Sequence, residues 1–598
     1  MVKHSLDDLP MELLTYVVLE LPKRDLKTVC LLSKRLCAFA KPLLWNSVAV
    51  HLEEEYFNAV NTEKLRSASQ NQRGNLLLGT REFHVETELR MNAMTGRCRH
   101  LNQGDEVEED RNEVLHAVLD GMQNDVGDVD CWEHSPQLDF RRVNNEVMSV
   151  LLKCKPGQLK TFNWNTGLCV PQPILGPKGY LPLKQQNLET LRLVSDGWCS
   201  AQRLHLEAFI KLKSLSWTGL RSRREMAALR DCFKVSSHQL VQLHLDFLEW
   251  ALIRPDGRDS IQQALLGTTR CAGGYMFPAL KHLSLAGYSF ERVSKQLATA
   301  FNWRSMQSLS IRFCQDWEAF LKDILSLKKE INIRSLQVQY SPKRNPGGGD
   351  GSPAIESFLN AFEGLEELFI ATNDATRTDV IWEAIIHHKS TLKSLVYHQR
   401  YRNRERTMGL NFVGDRDLHV LTSLPKDIDK DSSLNPLSQL DLEFLGICCT
   451  INNLKHIVSP FMNKTSLKVL HVRLSGHDFG PLLRVWDNQR GTSPFRPPPS
   501  YEDRVRLFWQ FADWVFGPDG IRSLHILAFG DFSYNDSYKV FNIVLCRNDE
   551  GQGTRSRKPY RDVTENDHVP QLRLKRFSRA LQACPSDVII MNPAETDM

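Results

Sequence analysis

The sequence predicts an α/β protein in which a short N-terminal three-helix unit is followed by an irregular solenoid of βα repeats. Three features carry this: a six-residue apolar pattern recurring through most of the chain, helix-period segments between its copies, and a helix-only pattern confined to residues 5–50. Composition agrees. The chain has 598 residues, 41% apolar and 24% charged, as ordinary globular proteins do. Lys and Arg number 75 against 71 Asp and Glu, a net charge of +4, which argues against a dedicated nucleic-acid binder. No run approaches the roughly 18 apolar residues of a membrane helix, so no membrane association is expected. Lys3, Asp7 and Asp8 stand where a secretory signal would need an apolar stretch, and a cytoplasmic or nuclear location is expected. The 14 cysteines include no C-x-x-C pair; buried, reduced thiols and no metal or cofactor are expected.

The repeat reads apolar-x-x-apolar-x-apolar. It occurs as Leu188/Leu191/Leu193, Leu212/Leu215/Trp217, Leu240/Leu243/Leu245, Leu280/Leu283/Leu285, Met306/Leu309/Ile311 and Ile333/Leu336/Val338. It continues as Leu365/Leu368/Ile370, Leu392/Leu395/Tyr397, Leu437/Leu440/Leu442, Leu467/Leu470/Val472 and Ile521/Leu524/Ile526. Leu159/Phe162/Trp164 is an earlier copy and the Phe83/Val85 stretch a weaker one. The last two apolar residues alternate as a short strand does, and the first lies on the approach to it. From Leu188 to Leu392 successive starts lie 24 to 40 residues apart, room for a strand, a turn and a returning helix. Helix-period segments at 319–327, 355–362 and 380–388 fall in these intervals. One such unit cannot bury its apolar face, but stacked copies share a continuous core.

The pattern resembles a leucine-rich repeat array. That family places Asn or Cys three residues after the sixth position, and here only Cys314 and Asn373 do so, which marks an irregular array. Insertions are expected near 341–353, dense in Gly and Pro, and near 487–502, where Pro498-Pro499-Ser500-Tyr501 matches a short WW-domain ligand. Arg400–Arg406 reads as a basic solvated run. A polar tail spans 549–598, and its basic amphipathic stretch 572–581 is expected to cap the open end of the array.

Residues 5–50 read as three helices. Leu9-Pro10 opens the first, capped by Asp8, with Leu13, Leu14, Val17, Val18 and Leu21 as its apolar face. Pro22 ends it; Asp25-Leu26 starts a second through Leu32, and a third runs from Ser33 to about Ala40 before Leu44-Trp45. So small a unit cannot bury all these side chains, and Leu9, Leu14, Leu21 and Trp45 are expected to leave an apolar patch of the kind that marks interfaces. Leu9, Pro10, Glu12, Leu13, Leu14, Leu21, Asp25, Leu26, Lys34, Arg35, Leu44 and Trp45 follow the order and spacing of the F-box motif. The segment is similar to that family, and an F-box followed by irregular repeats and a terminal helix resembles the large fungal F-box proteins.

The resemblance implies a non-enzymatic role: the substrate-recognition subunit of a Skp–cullin–F-box ubiquitin ligase. It would hold a protein substrate near the ubiquitin-carrying enzyme, raising the effective concentration. The alternative is a repeat scaffold that uses the F-box and its adaptor outside ubiquitin transfer. The partners implied are a Skp-type adaptor, through it cullin and RING subunits, and an unidentified protein substrate, with no nucleic acid. The expected division is an adaptor-binding unit at 5–50, a connector at 51–155, a repeat array at 156–548 and the tail. Adaptor contacts are expected from Leu9, Pro10, Leu13, Leu14, Leu21, Leu26, Leu32 and Trp45. Substrate contacts are expected on the concave strand face, from Arg192, His244, Arg312, Glu367, Phe369, Asp441 and Arg473, with Phe369 as an exposed aromatic anchor.

Overall fold

The computed structural model describes residues 9–21, 23–52, 61–70, 75–87, 140–195, 203–220, 223–247, 274–340, 351–373, 379–400, 435–449, 451–474, 499–533, 541–548, 558–564 and 567–585. They fall into two compact units, one up to Leu240 and the other from Val241.

In the first unit, helices α1 (Met11–Leu19), α2 (Lys23–Leu32) and α3 (Lys34–Asn46) lead directly into strand β1 (Ser47–Leu52). Pro10 sits just before α1, where it has no helical N–H to lose, and its carbonyl accepts from Leu14 N at 2.9 Å. Ser33 Oγ accepts from Leu36 N at 3.1 Å and starts α3. Pro42 lies inside α3, which runs six residues past the expected end at Ala40. Asp8 and Pro22 lie outside the described residues. Strands β2 (Glu82–Thr87), β3 (Thr161–Asn165), β4 (Thr190–Val194) and β5 (Ser214–Leu220) add to β1 in parallel, in sequence order. The sheet therefore begins at Ser47, inside the segments expected to be helical unit and connector.

The second unit carries β6 (Gln242–Phe247), β7 (His282–Ala286), β8 (Ser308–Arg312), β9 (Ser335–Tyr340), β10 (Glu367–Asn373), β11 (Ser394–Arg400), β12 (Phe444–Ile447), β13 (Val469–Arg473) and β14 (Ile526–Gly530), all parallel. Two antiparallel strands, β15 (Ile543–Arg547) and β16 (Tyr560–Asp562), close it. The architecture is thus α/β with mostly parallel, solenoid-like βα winding. Leu243, Leu283, Leu309, Leu336, Leu368, Leu395, Leu445, Leu470 and Leu527 pair in one unbroken row, and all but Leu243 and Leu283 are wholly buried.

Helices Trp317–Ser326, Ser352–Leu359 and Asp379–His387 occupy the three expected intervals, shifted by one to three residues. They pack on one sheet face: Trp317 lies 5.0 Å from Tyr340 and Trp382 5.2 Å from Tyr397 between ring centroids. Gly351 opens the second of them at φ 74°, and a Cβ there would come within 2.7 Å of Trp317 Cζ2, so the position requires glycine.

Two repeats differ from the expected frame. In the strand near 440 the repeat's row runs through Leu445 and Ile447, not Leu440 and Leu442; in the strand near 525 it runs through Leu527 and Phe529, not Leu524 and Ile526, which pairs with Val469 on the opposite face. In both places a second copy of the pattern, Leu442/Leu445/Ile447 or Leu524/Leu527/Phe529, overlaps the expected one. Leu437 sits instead in a short 3-10 turn, Pro436–Gln439. Residues 341–350 of the first insertion lie outside the described residues, as do 401–406 of the basic run and 487–498 of the second insertion. Pro499–Tyr501 begin the helix Pro499–Val515, a conformation different from the extended form a WW domain reads.

Candidate functional site

Two surfaces stand out, one in each unit. In the first, Leu14, Val18, Leu26, Val29, Leu36 and Ala40 form a small core of their own, with Leu9, Leu21, Leu43 and Leu44 packed against it. Arg35 Nη2 donates to Leu9 O at 3.0 Å and ties the entry of α1 to α3. With those side chains inside, Met11, Leu13, Tyr16, Val17 and Leu19 of α1 and Leu31 and Leu32 of α2 are left in solvent; Leu31 is 87% and Leu32 64% exposed. Exposed apolar side chains are present, but their membership differs from expectation. Leu14 and Leu26 belong to the core, and Leu9, Leu21 and Trp45 are half-buried, whereas Leu13, Leu32 and Pro10 are exposed. Met11, Tyr16, Leu19 and Leu31 were not anticipated. By helical spacing Tyr16 and Leu19 stand off the Leu14–Val18 stripe of α1 and Leu31 off the Leu26–Val29 stripe of α2, whereas Met11 shares the Leu14–Val18 side but, as the first residue of α1, stays exposed.

In the second unit the site is the sheet face turned away from the helices, called here the second face. Over β10–β14 it is covered by the chain's own tail. The tail helix His568–Arg576 and the turn Ser578–Leu581 lie across it rather than capping the array's end, although β16, also from the tail, does pair along the last strand edge. Phe577, Ala580, Leu581, Ala583 and Cys584 pack on Phe369, Val396, Phe444, Val469, Ile526 and Ala528. The Phe444 and Phe577 rings stand 5.6 Å apart. Polar contacts fix the seat. Arg579 pairs with Glu367 at 3.1 Å and donates to Ser308 Oγ at 3.1 Å and Ser335 Oγ at 2.9 Å. Arg576 pairs with Glu443 at 2.6 Å. Gln339 Nε2 donates to Pro585 O at 2.7 Å, and Arg473 donates to the carbonyls of Ala583 and Cys584.

The expected substrate residues are therefore dispersed. Phe369 is only 2% exposed, beneath the tail, and is no solvent-facing anchor. Glu367 and Arg473 hold the tail. Arg312 is buried and pairs with Asp246 at 2.9 Å across the small Ala286; burial pushes the Asp246 carboxyl up while the guanidinium opposes it. Asp441 is exposed but precedes β12, because of the frame difference. Arg192 is exposed on β4 in the first unit, and His244 is half-exposed on β6 in the second.

Burial pushes the thiols of Cys154, Cys232, Cys314 and Cys584 up to about 12. His471, wholly buried beside Phe444 and Phe532, is held well below the usual imidazole range by burial and by Arg473, with Nε2 on Gly530 O at 3.0 Å. Among the described residues no cluster of three His, Cys, Asp or Glu is placed to hold a metal ion, and no helix is long and apolar enough to cross a membrane. No protein-family model matches this chain, and no curated protein matches it significantly.

Proposed function

We propose that the chain is the substrate-recognition subunit of a Skp–cullin–F-box type ubiquitin ligase, binding a Skp-type adaptor through α1–α3 and a protein substrate through its repeat array. The observation that carries this reading is the exposed apolar patch on α1 and α2. A helical unit with a core of its own still leaves seven large apolar side chains in water, an arrangement stable proteins keep for partners. The patch lies within the segment that follows the F-box motif from Leu9 to Trp45. The role asks for no nucleophile. It asks only that two binding surfaces be carried on one chain.

Co-purification with a Skp-type adaptor tests it. Leu31→Asp/Leu32→Asp changes two exposed positions and leaves the small core intact, so the variant should fold. It should lose about 30- to 1,000-fold in affinity, the scale of removing two interface anchors. Failure of the wild-type chain to bind the adaptor, or undiminished binding by the double variant, would overturn the reading.

A further inference from the structure

We propose that the open part of the second face, strands β6–β9, together with Arg579 of the tail that borders it, is the docking surface for an acidic, extended segment of a partner protein. This gives the substrate half of the proposed receptor a ligand class and rests on that reading. Four observations lead to it.

The exposed positions there are hydrogen-bonding and mostly short: His244, His282, Ser284, Ser310 and Gln337 are each half-exposed, with the two serines neighbours in one register row. A row of small polar side chains on adjacent parallel strands makes a shallow strip across which an extended chain can lie. Among the described residues the carboxylates at the strip are engaged, Asp246 by Arg312 and Glu367 by Arg579. Its border is positive. The Arg579 side chain is 56% exposed, yet its guanidinium is fixed by two serine hydroxyls and Glu367, a cation presented in one place. From His568 to Pro585 the tail carries Arg573, Lys575, Arg576 and Arg579 and no acidic residue. The field reaches the strip, for burial first, then Arg579 and Lys281, hold the His282 imidazole below its usual range. Charge complementarity then selects a negative partner. Of the tail's cations Arg579 is the one seated at the strip, while Arg576 pairs with Glu443 before β12, so the positive charge there is local rather than a continuous groove, which suits an acidic peptide better than a nucleic acid.

The test is fluorescence anisotropy of the full chain with labelled peptides of one length built from Glu-Ser, Gln-Ser or Lys-Ser repeats, beside a labelled single-stranded oligonucleotide. Glu-Ser should bind about tenfold or more tighter than Gln-Ser, with the advantage lost as salt screens the charges. Arg579→Glu should abolish the preference. Ser310→Glu, which leaves every tail contact in place, should do the same by putting a carboxylate on the strip. Equal binding of the Glu-Ser and Gln-Ser peptides, tighter binding of the oligonucleotide, or indifference to Ser310→Glu would overturn the proposal. Adaptor binding measured on the same preparation separates its failure from failure of the ligase reading.

Discussion

The second face of the repeat sheet has two halves of opposite character. On β6–β9 the positions reached by solvent are Gln242, His244, His282, Ser284, Ser310 and Gln337, while Asp246, Ala286, Ser308, Arg312, Ser335 and Gln339 on the same face are buried. On β10–β14 the apolar Phe369, Val396, Phe444, Val469, Ile526 and Ala528 are buried under the tail, with polar Glu367, His398, His471 and Arg473 among them. The backbone is the same on both halves, and the side chains decide what lies on top. A strand with one wet face must alternate, whereas a strand covered on both faces can be apolar throughout. The apolar half is part of a core that the tail completes; among the described residues nothing apolar covers the solvent-reached positions of the polar half.

The largest effect should come from emptying the covered half. Phe577→Ala removes the aromatic that meets Phe444 and should cost about 3–5 kcal/mol by chemical denaturation, with early proteolysis of the tail. Next is Arg473→Ala, which leaves the Ala583 and Cys584 carbonyls without their donor and should cost about 1–3 kcal/mol. A smaller, pH-dependent effect comes from His471. Its folded pKa lies below the unfolded value of about 6.5, so its contribution is present above that pH and is lost as pH falls below it. Acid should therefore loosen the tail from the sheet, and His471→Phe should flatten that dependence in a pH series of melts. The smallest belongs to the open half: Ser310→Ala should change stability by less than about 0.5 kcal/mol. A large loss there would mean that the polar half is covered as well.

The same contrast explains how much of the molecule was legible in the sequence. Where the second face is polar, as in Leu283-Ser284-Leu285 or Leu309-Ser310-Ile311, the alternating apolar residues mark both strand and frame, and the pairing follows them. The two frame differences fall at β12 and β14, both in the covered half. There Phe444 and Ile526 are as apolar as their neighbours, so two overlapping copies of the pattern fit equally well. β1 carries a readable alternation of its own, Val48, Val50 and Leu52, but follows α3 without a break. The tail was legible as an amphipathic helix, not by destination. Leu572, which looks like a core residue, is 65% exposed, whereas Phe577 and Leu581 are buried. The available signal was the continuous apolar character of β11–β14, which requires a cover on the second face. In α1–α3 the presence of exposed apolar side chains was readable, but which leucines face inward depends on a packing choice among three helices.

The division of the second face is tested most directly by thiol labelling of the full native chain, read peptide by peptide in a mass spectrometer so that native cysteines do not interfere. Ser310→Cys lies on the open half and Val396→Cys beneath the tail. The structure predicts that a maleimide modifies the first within the labelling pulse and reaches the second only after denaturant releases the tail. Equal labelling of both under native conditions would contradict it, because the tail would then not occupy the face and the two halves would be one surface.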